Sequence, residues 1–222
     1  MNTVFFYLGI QKDSPKMLRA ILDLAPQSES ERWLKIVTMG NYFLAAYASP
    51  YDIVVFGIEQ VMVEAAKLYD EVVSGKLQSP LTQLPRMLLL FIMQSLLRDG
   101  YSFEFFKNAI DEAALKIDAG PYDDNIKAFS LFFLAVASID IGSKDVFDFL
   151  IRTRMEKLPL EIEMAMKHEF HELKGLTTLM KKQDKQVNRK LKHNSSLLSA
   201  VKKLYDIPIQ PTKAKTKDSR KK

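Results

Sequence analysis

The sequence predicts an all-α fold: a single compact multi-helix domain of antiparallel helical hairpins, followed by a basic, partly disordered C-terminal arm. Three observations predict it. Signals that start and stop helices recur along the chain, signals for β-hairpins are nearly absent, and two central segments are apolar on all sides. Hydrophobic residues make up 47% of the chain, which is typical of a folded protein with a core.

Serine and glycine mark the expected helix ends. Ser14-Pro15 and Ser79-Pro80 each place a capping hydroxyl before a proline at the first helical position. Ser28 and Glu31 have the spacing of a capping box. Glycine tolerates the left-handed conformation in which many helices end. Four glycines are placed to end helices in this way: Gly75, Gly100, Gly120 and Gly142.

These signals divide the chain into about nine helices, with each end uncertain by about 2–4 residues. The links between them are a few residues long, which suits antiparallel neighbours. The predicted helices span residues 15–25, 29–48, 51–74, 84–98, 103–118, 123–140, 144–155, 160–182 and 196–205.

The first ten residues are apolar but lack the basic segment and cleavage site of a signal peptide. We expect a strand or helix packed on the body, with an arm swapped between subunits as the alternative. No apolar run reaches the roughly 20 residues that span a bilayer. Together with the absence of cysteine, this indicates an intracellular, cytoplasmic or nuclear protein that is not secreted.

The most hydrophobic part of the chain is its middle. Met87–Met93 and Phe129–Ala135 are apolar nearly all round, so both helices should be buried on several sides. Shifting the sequence by 42 residues aligns Gly100 with Gly142 and also superposes phenylalanines. This period suits a HEAT-like or armadillo-like repeat of helical hairpins, and an irregular helical bundle is the alternative.

The second predicted helix concentrates aromatic side chains. Trp33, Tyr42, Phe43 and Tyr47 all lie within it. Packing in the core explains such a group, and a stacking or peptide-binding groove is the functional alternative.

The charge changes sign along the chain. Residues 1–166 carry 16 Lys and Arg against 22 Asp and Glu, a formal charge of −6, within a chain whose net charge is +5. Residues 167–222 carry 16 Lys and Arg against 5 Asp and Glu, a charge of +11. We therefore divide the chain into a helical body, residues 1–182, and a basic arm, residues 183–222.

The basic segment predicts contact with a polyanion, because lysines that neutralise phosphates release condensed counterions. It offers few aromatic side chains to stack on bases, so binding of RNA or DNA should be independent of sequence and sensitive to salt. The candidate nucleic-acid-binding residues are Lys181, Lys182, Lys185, Arg189, Lys190, Lys192, Lys202, Lys203, Lys213, Lys215, Lys217, Arg220, Lys221 and Lys222.

A short amphipathic helix, residues 196–205, is predicted within the arm. Its apolar stripe is a candidate protein-interaction surface that docks on this body or on a neighbouring subunit. The stripe consists of Leu197, Leu198, Val201, Leu204 and Tyr205.

The sequence gives no pattern for catalysis, a metal or a cofactor. His168 and His171 are three residues apart, whereas the zinc-protease pattern needs histidines four apart. Acidic pairs such as Asp123-Asp124 are expected to be solvated charges near helix ends. We therefore expect a protein that is not an enzyme and binds no cofactor or metal.

Two functions follow as alternatives. The first is a nucleic-acid-associated assembly protein with a nucleocapsid-like layout, whose helical body makes protein contacts, including contacts between its own copies, while its arm holds RNA or DNA. The second is a helical protein-interaction adaptor whose basic tail serves solubility or localisation.

Overall fold

This computed structural model describes residues 2–141, 145–154 and 158–169, and within these ranges it contains nine α-helices and no β-strand. The predicted all-α fold is confirmed. The helices are α1 Asn2–Gln11, α2 Pro15–Asp23, α3 Glu29–Ala45, α4 Tyr51–Val73, α5 Arg86–Tyr101, α6 Lys107–Ala119, α7 Asp124–Ile139, α8 Asp145–Arg154 and α9 Leu160–Glu169.

Helices α2 to α9 correspond to the first eight predicted helices. The second half of the predicted helix 160–182 and all of the helix 196–205 lie outside the described residues. The apolar N-terminus forms α1, which packs against α3 of the same chain with Leu8 fully buried. Of the alternatives for this segment, the structure shows a helix packed on the body.

The three serines predicted to cap helices make different contacts. The Ser28 hydroxyl accepts a hydrogen bond from the Glu31 amide at 3.2 Å and starts α3 as predicted. The backbone amide of Ser14 instead donates to the Ser49 hydroxyl at 3.0 Å, which ties the start of α2 to the α3–α4 turn. Ser79-Pro80 opens only a short 3-10 turn, and α5 begins at Arg86 after a second proline.

Helix α7 forms the centre of the fold. Every residue from Ala128 to Ser138 is buried, and α7 contacts α4, α5, α6, α8 and α9. The buried hydroxyl of Ser130 donates to the Ile126 carbonyl at 2.7 Å, so this polar group needs no water. The expectation that α7 is enclosed on several sides is confirmed.

Helix α5 is less enclosed than the sequence predicted. Leu88 and Ile92, one turn apart, are 36% and 39% exposed. The reason is position: α5 lies against α3, α7 and α9, which cover its inner side and leave one face in water. Helix α6 lies against α4, α7 and α8. Both α5 and α6 contact α7. These contacts fit a HEAT-like stack of hairpins as well as an irregular bundle, so the repeat stays a prediction.

Side-chain contacts give the directions of the central helices. The Phe43 ring lies over Gly57, whereas Arg32 pairs with Glu64, so α3 and α4 run antiparallel. The C-terminal ends of α3, α5 and α7 therefore gather at the same end of the bundle as the start of α6, where Phe106 meets Phe43. The links 46–50 and 102–106 lie at this end.

No helix within the described ranges is both long enough and apolar enough to cross a membrane.

Helices α3 and α5 approach each other most closely at two glycines. A Cβ on Gly40 would overlap the carbonyl oxygen of Gly100 and come within 3.5 Å of the Tyr101 ring. Gly100 does not end α5 as predicted, since the helix continues to Tyr101. The missing side chain that allows the crossing is that of Gly40, since a Cβ on Gly100 would meet no atom closer than 4.0 Å.

We expect Gly40→Ala to lower the free energy of unfolding by about 1–3 kcal/mol, because the obstacle is backbone and cannot rotate away. Gly9→Ala is the matched control: it is also a helical glycine, but no atom lies within 4 Å of its added Cβ. Alanine should be neutral there or stabilising by up to about 1 kcal/mol. Urea unfolding measures both variants, and equal stability of the two would contradict the close crossing.

Candidate interaction surface

The residues proposed from the sequence as binding sites lie beyond the part of the chain that the structure describes. The fourteen basic candidates begin at Lys181, and the apolar stripe runs from Leu197 to Tyr205, whereas the described chain ends at Glu169. Both sets therefore stay predictions. The body itself, however, carries a surface that the sequence analysis only partly anticipated.

A buried aromatic residue, Phe106, supports this surface. Its ring packs edge-on against Phe43, with centroids 6.4 Å apart, and lies 5.4 Å from the Tyr101 ring. On its outer side it contacts Phe103 at 6.3 Å and Phe105 at 5.0 Å. These two rings remain 43% and 41% exposed. Phe103 and Phe105 thus lie at the surface, because the buried Phe106 ring occupies the space beneath them.

Two tyrosines add to the same end of the bundle. Tyr47 follows the last turn of α3 and is 54% exposed, and Tyr51 begins α4 and is 48% exposed. We call Tyr47, Tyr51, Phe103 and Phe105 the aromatic end. An aromatic side chain presents about 150–250 Å², so these half-exposed rings offer roughly 350–400 Å². The largest apolar patch on a monomer commonly measures about 300–600 Å² and is often functional, which makes this surface a candidate interaction site.

Polar contacts fix the turn that carries the two phenylalanines. Ser102, which ends α5, donates its hydroxyl hydrogen to the Ala137 carbonyl at 2.8 Å. One turn earlier, Arg98 donates to both carboxylate oxygens of Asp140, at 2.7 and 2.6 Å. This bidentate pair holds the pKa of Asp140 below its usual value. The two contacts join the C-terminal ends of α5 and α7, so the turn starts from a rigid base.

Carboxylates surround the aromatic end. Asp52, Asp99 and Glu104 are exposed there. Burial raises the pKa of Tyr51, and the neighbouring carboxylates of Glu112 and Asp111 add to the shift. Burial also raises the pKa of Asp111, with a further contribution from Asp145. Two lysines lie at this end as well: Lys107 pairs with Glu104 at 3.4 Å, and the Lys12 carbonyl accepts from the Ala48 amide. The carboxylates outnumber these lysines, so the rim around the apolar centre is acidic overall.

The opposite end of the bundle has a different character. A groove of about 620 Å³ lies between the C-terminal part of α4 and the start of α7. Asp70 in its wall pairs with Lys76 at 3.3 Å, and Glu71 pairs with Arg32 at 2.5 Å. The residues lining this groove are Lys67, Asp70, Glu71, Lys76, Asp123, Asp124, Asn125 and Ile126. The meeting of Asp70-Glu71 with Asp123-Asp124 in this groove was not predictable, since the two pairs lie 53 positions apart.

No metal site is found in the described ranges: no group of three or more His, Asp or Glu side chains there is arranged to hold an ion. His168 lies in α9, and His171 lies beyond the described residues. Tyr122, near the groove, donates its hydroxyl hydrogen to Glu59 at 2.9 Å, and burial followed by this contact raises its pKa to about 12. That tyrosine therefore acts as a structural donor.

The model of one protein family, NCH1: NACHT C-terminal Helical domain 1, matches residues 41–213. The chain belongs to the NCH1 family. Neither a curated protein nor a solved structure matches it. The matched part of this NCH1 chain begins within α3 and includes the whole aromatic end. It also extends into the basic arm as far as residue 213, past the expected division at residues 182 and 183.

Sequence reasoning identified part of this surface. The aromatic concentration on α3 divides: Tyr42 and Phe43 are core residues, while Tyr47 is exposed. The available signal for the rest was the run Phe103-Glu-Phe105-Phe106, in which only Phe106 is buried. The run lies in the link before α6, in a short 3-10 turn. Helical periodicity does not predict which residues of such a link are buried, so the exposure of Phe103 and Phe105 was not predictable.

Asp111→Asn should raise the free energy of unfolding of this NCH1 chain at pH 7. Burial raises the pKa of Asp111 above its usual value, so its ionised form destabilises the folded state above that raised pKa. The gain should shrink as the pH falls through the raised pKa, because a protonated carboxyl carries no charge. Urea unfolding at pH 7 and near pH 4 measures both effects.

The control is Asp99→Asn, since Asp99 is exposed on a neighbouring helix. We expect it to change stability little at either pH. A loss of stability on replacing Asp111 at pH 7 would show that its carboxylate stabilises the fold.

Proposed function

We propose that this NCH1 chain is a non-catalytic protein-interaction domain that binds its partner through the aromatic end. The observation that supports the proposal is the group of four aromatic side chains, each about half exposed, presented from turns at one end of a rigid bundle. Aromatic residues are enriched at the centres of protein interfaces, where they supply most of the binding energy.

The packing of these rings favours this proposal over incidental exposure. Phe103 and Phe105 both rest on Phe106, whose ring is completely buried. The rings are therefore held in place before a partner arrives, and little conformational entropy is lost on binding. Loops on a rigid scaffold are the usual place for such recognition.

The family supports a protein as the partner. Its name describes a helical domain on the C-terminal side of a NACHT module. A helical domain in that position has neighbouring protein surfaces to contact. We propose that the aromatic end of this chain contacts such a neighbour or another protein of the same assembly.

A photo-cross-linking amino acid in place of Phe105 tests the proposal in cells that express the full chain. We expect it to yield one defined protein adduct, identified by mass spectrometry and resistant to nuclease. The control carries the same amino acid at Leu24, an exposed apolar residue at the end of α2, 67% accessible. The same adducts from both positions would contradict a specific surface.

Phe105→Ala should weaken binding to the partner so identified by about 2 kcal/mol or more, roughly 30-fold in Kd. Because Phe105 is 41% exposed, its loss should lower the free energy of unfolding much less than the loss of a core aromatic. Calorimetric titration gives the affinity, and urea unfolding confirms the fold. Unchanged affinity in a folded variant would remove Phe105 from the interface.

The basic arm supports a second candidate function, the sequence-independent binding of RNA or DNA in a nucleocapsid-like assembly. The supporting observation is the charge division, −6 over residues 1–166 and +11 over residues 167–222. The acidic body repels phosphate, so such contacts would be confined to the arm.

Deletion of residues 184–222 should abolish binding to single-stranded RNA at low salt, because it removes most of the excess lysines. Fluorescence anisotropy compares the truncated and full chains at low and high salt. The full chain should lose affinity steeply as salt rises. Equal binding by the truncated chain would overturn this candidate.

A further inference from the structure

The same chain contains a segment whose apolar and basic residues complement the aromatic end. We propose that the segment Leu197–Tyr205 docks on the aromatic end of its own body and occupies it until a partner displaces it. This inference rests on the proposed function, because it assigns an occupant to the same surface. It gives that surface a competitor built into the chain.

The first argument is the apolar match. Leu197, Leu198, Val201, Leu204 and Tyr205 follow helical spacing and form one stripe if the segment is a helix, as the sequence predicts. Nine helical residues are about 14 Å long, and a patch of roughly 350–400 Å² is about 20 Å across. The stripe and the aromatic end are therefore of comparable size.

The second argument is charge. Lys202 and Lys203 flank the apolar stripe. Beside the aromatic end, the exposed carboxylates Asp52, Asp99 and Glu104 outnumber the lysines Lys12 and Lys107, the second of which pairs with Glu104. Opposite charges around an apolar centre favour association and fix its orientation. An acidic segment of equal hydrophobicity would meet repulsion at this surface.

The length of chain before the segment also allows docking. The described chain ends at Glu169, and 27 residues separate it from Leu197. They span roughly 90 Å if extended and about 40 Å if helical. The longest helix, α4, has 23 residues and measures about 35 Å, so an extended connection is long enough to reach the aromatic end. A tethered segment has a local concentration of about millimolar, which favours docking within one chain over docking between copies.

The fourth argument is the extent of the family match. It runs from residue 41 to residue 213 and so includes both the aromatic end and Leu197–Tyr205. The segment therefore belongs to the same domain unit as the surface that it is proposed to cover.

The absence of cysteine allows a direct test in the full chain. Asn108→Cys places a thiol on an exposed residue one turn after Phe105, and Ser199→Cys places one in the segment. We expect mild oxidation at low micromolar concentration to form an intrachain disulfide, seen by non-reducing electrophoresis and peptide mapping. Phe105→Ala or the pair Lys202→Glu and Lys203→Glu should lower its yield at least fivefold.

The matched control is Gln78→Cys with Ser199→Cys, because Gln78 is exposed near the groove end of the bundle. It should form the disulfide at least fivefold more slowly. Equal rates for the two pairs, or a disulfide mainly between chains, would overturn the inference.

The two proposals fail separately. A partner adduct at position 105 without the intrachain disulfide would overturn only this inference. If the disulfide forms but position 105 captures no protein, even after deletion of residues 196–222, only the proposed function is overturned.

Discussion

Helix α7 has no face that can be left in water, and the rest of the fold follows from that. Every residue from Ala128 to Ser138 is buried. The hydroxyl of Ser138 donates to the Ala135 carbonyl at 2.8 Å, so this polar side chain makes its hydrogen bond within the helix and needs no water. A helix of this composition must be enclosed, and five other helices contact it. The neighbours need only one apolar side each, which explains why α5 has the exposed face of Leu88 and Ile92.

Enclosing α7 with helices of alternating direction gathers the turns at two ends, and the two ends differ in chemistry. One end carries exposed aromatic rings above Phe106, while the other carries a groove in which carboxylates and lysines meet. The difference comes from what lies beneath each turn. At one end, the buried Phe106 ring packs against the exposed phenylalanine rings of the 102–106 link. At the other end, Asp70 and Glu71 lie near the end of α4 and pair with Lys76 and Arg32.

Local signals in the sequence predicted the helices, and long-range packing decided what those signals could not. Ser28 starts α3, and Gly75, with a φ of 72°, follows the end of α4 as expected. Gly100 carries the same local signal, but α5 continues past it and its carbonyl lies against Gly40, 60 positions away. The aromatic end was only partly predictable for the same reason, since the links 46–50 and 102–106 come to the same end of the bundle only when the helices between them have packed. Helical periodicity predicts which face of a helix is buried, but it does not predict which residues of a turn are buried.

The charge division links the two candidate functions of the arm. In the two proposals, Lys202 and Lys203 contribute both to docking on the carboxylates around the aromatic end and to contacts with phosphates. The two uses exclude each other, because one lysine cannot neutralise both anions at once. A polyanion that binds the arm would draw Leu197–Tyr205 away from the body and uncover the aromatic end. Salt weakens both interactions, although it acts less on the docked state, where apolar contact persists when the charges are screened over about 10 Å. Binding of a polyanion and binding of a protein partner would then reinforce each other through the one segment that both must displace.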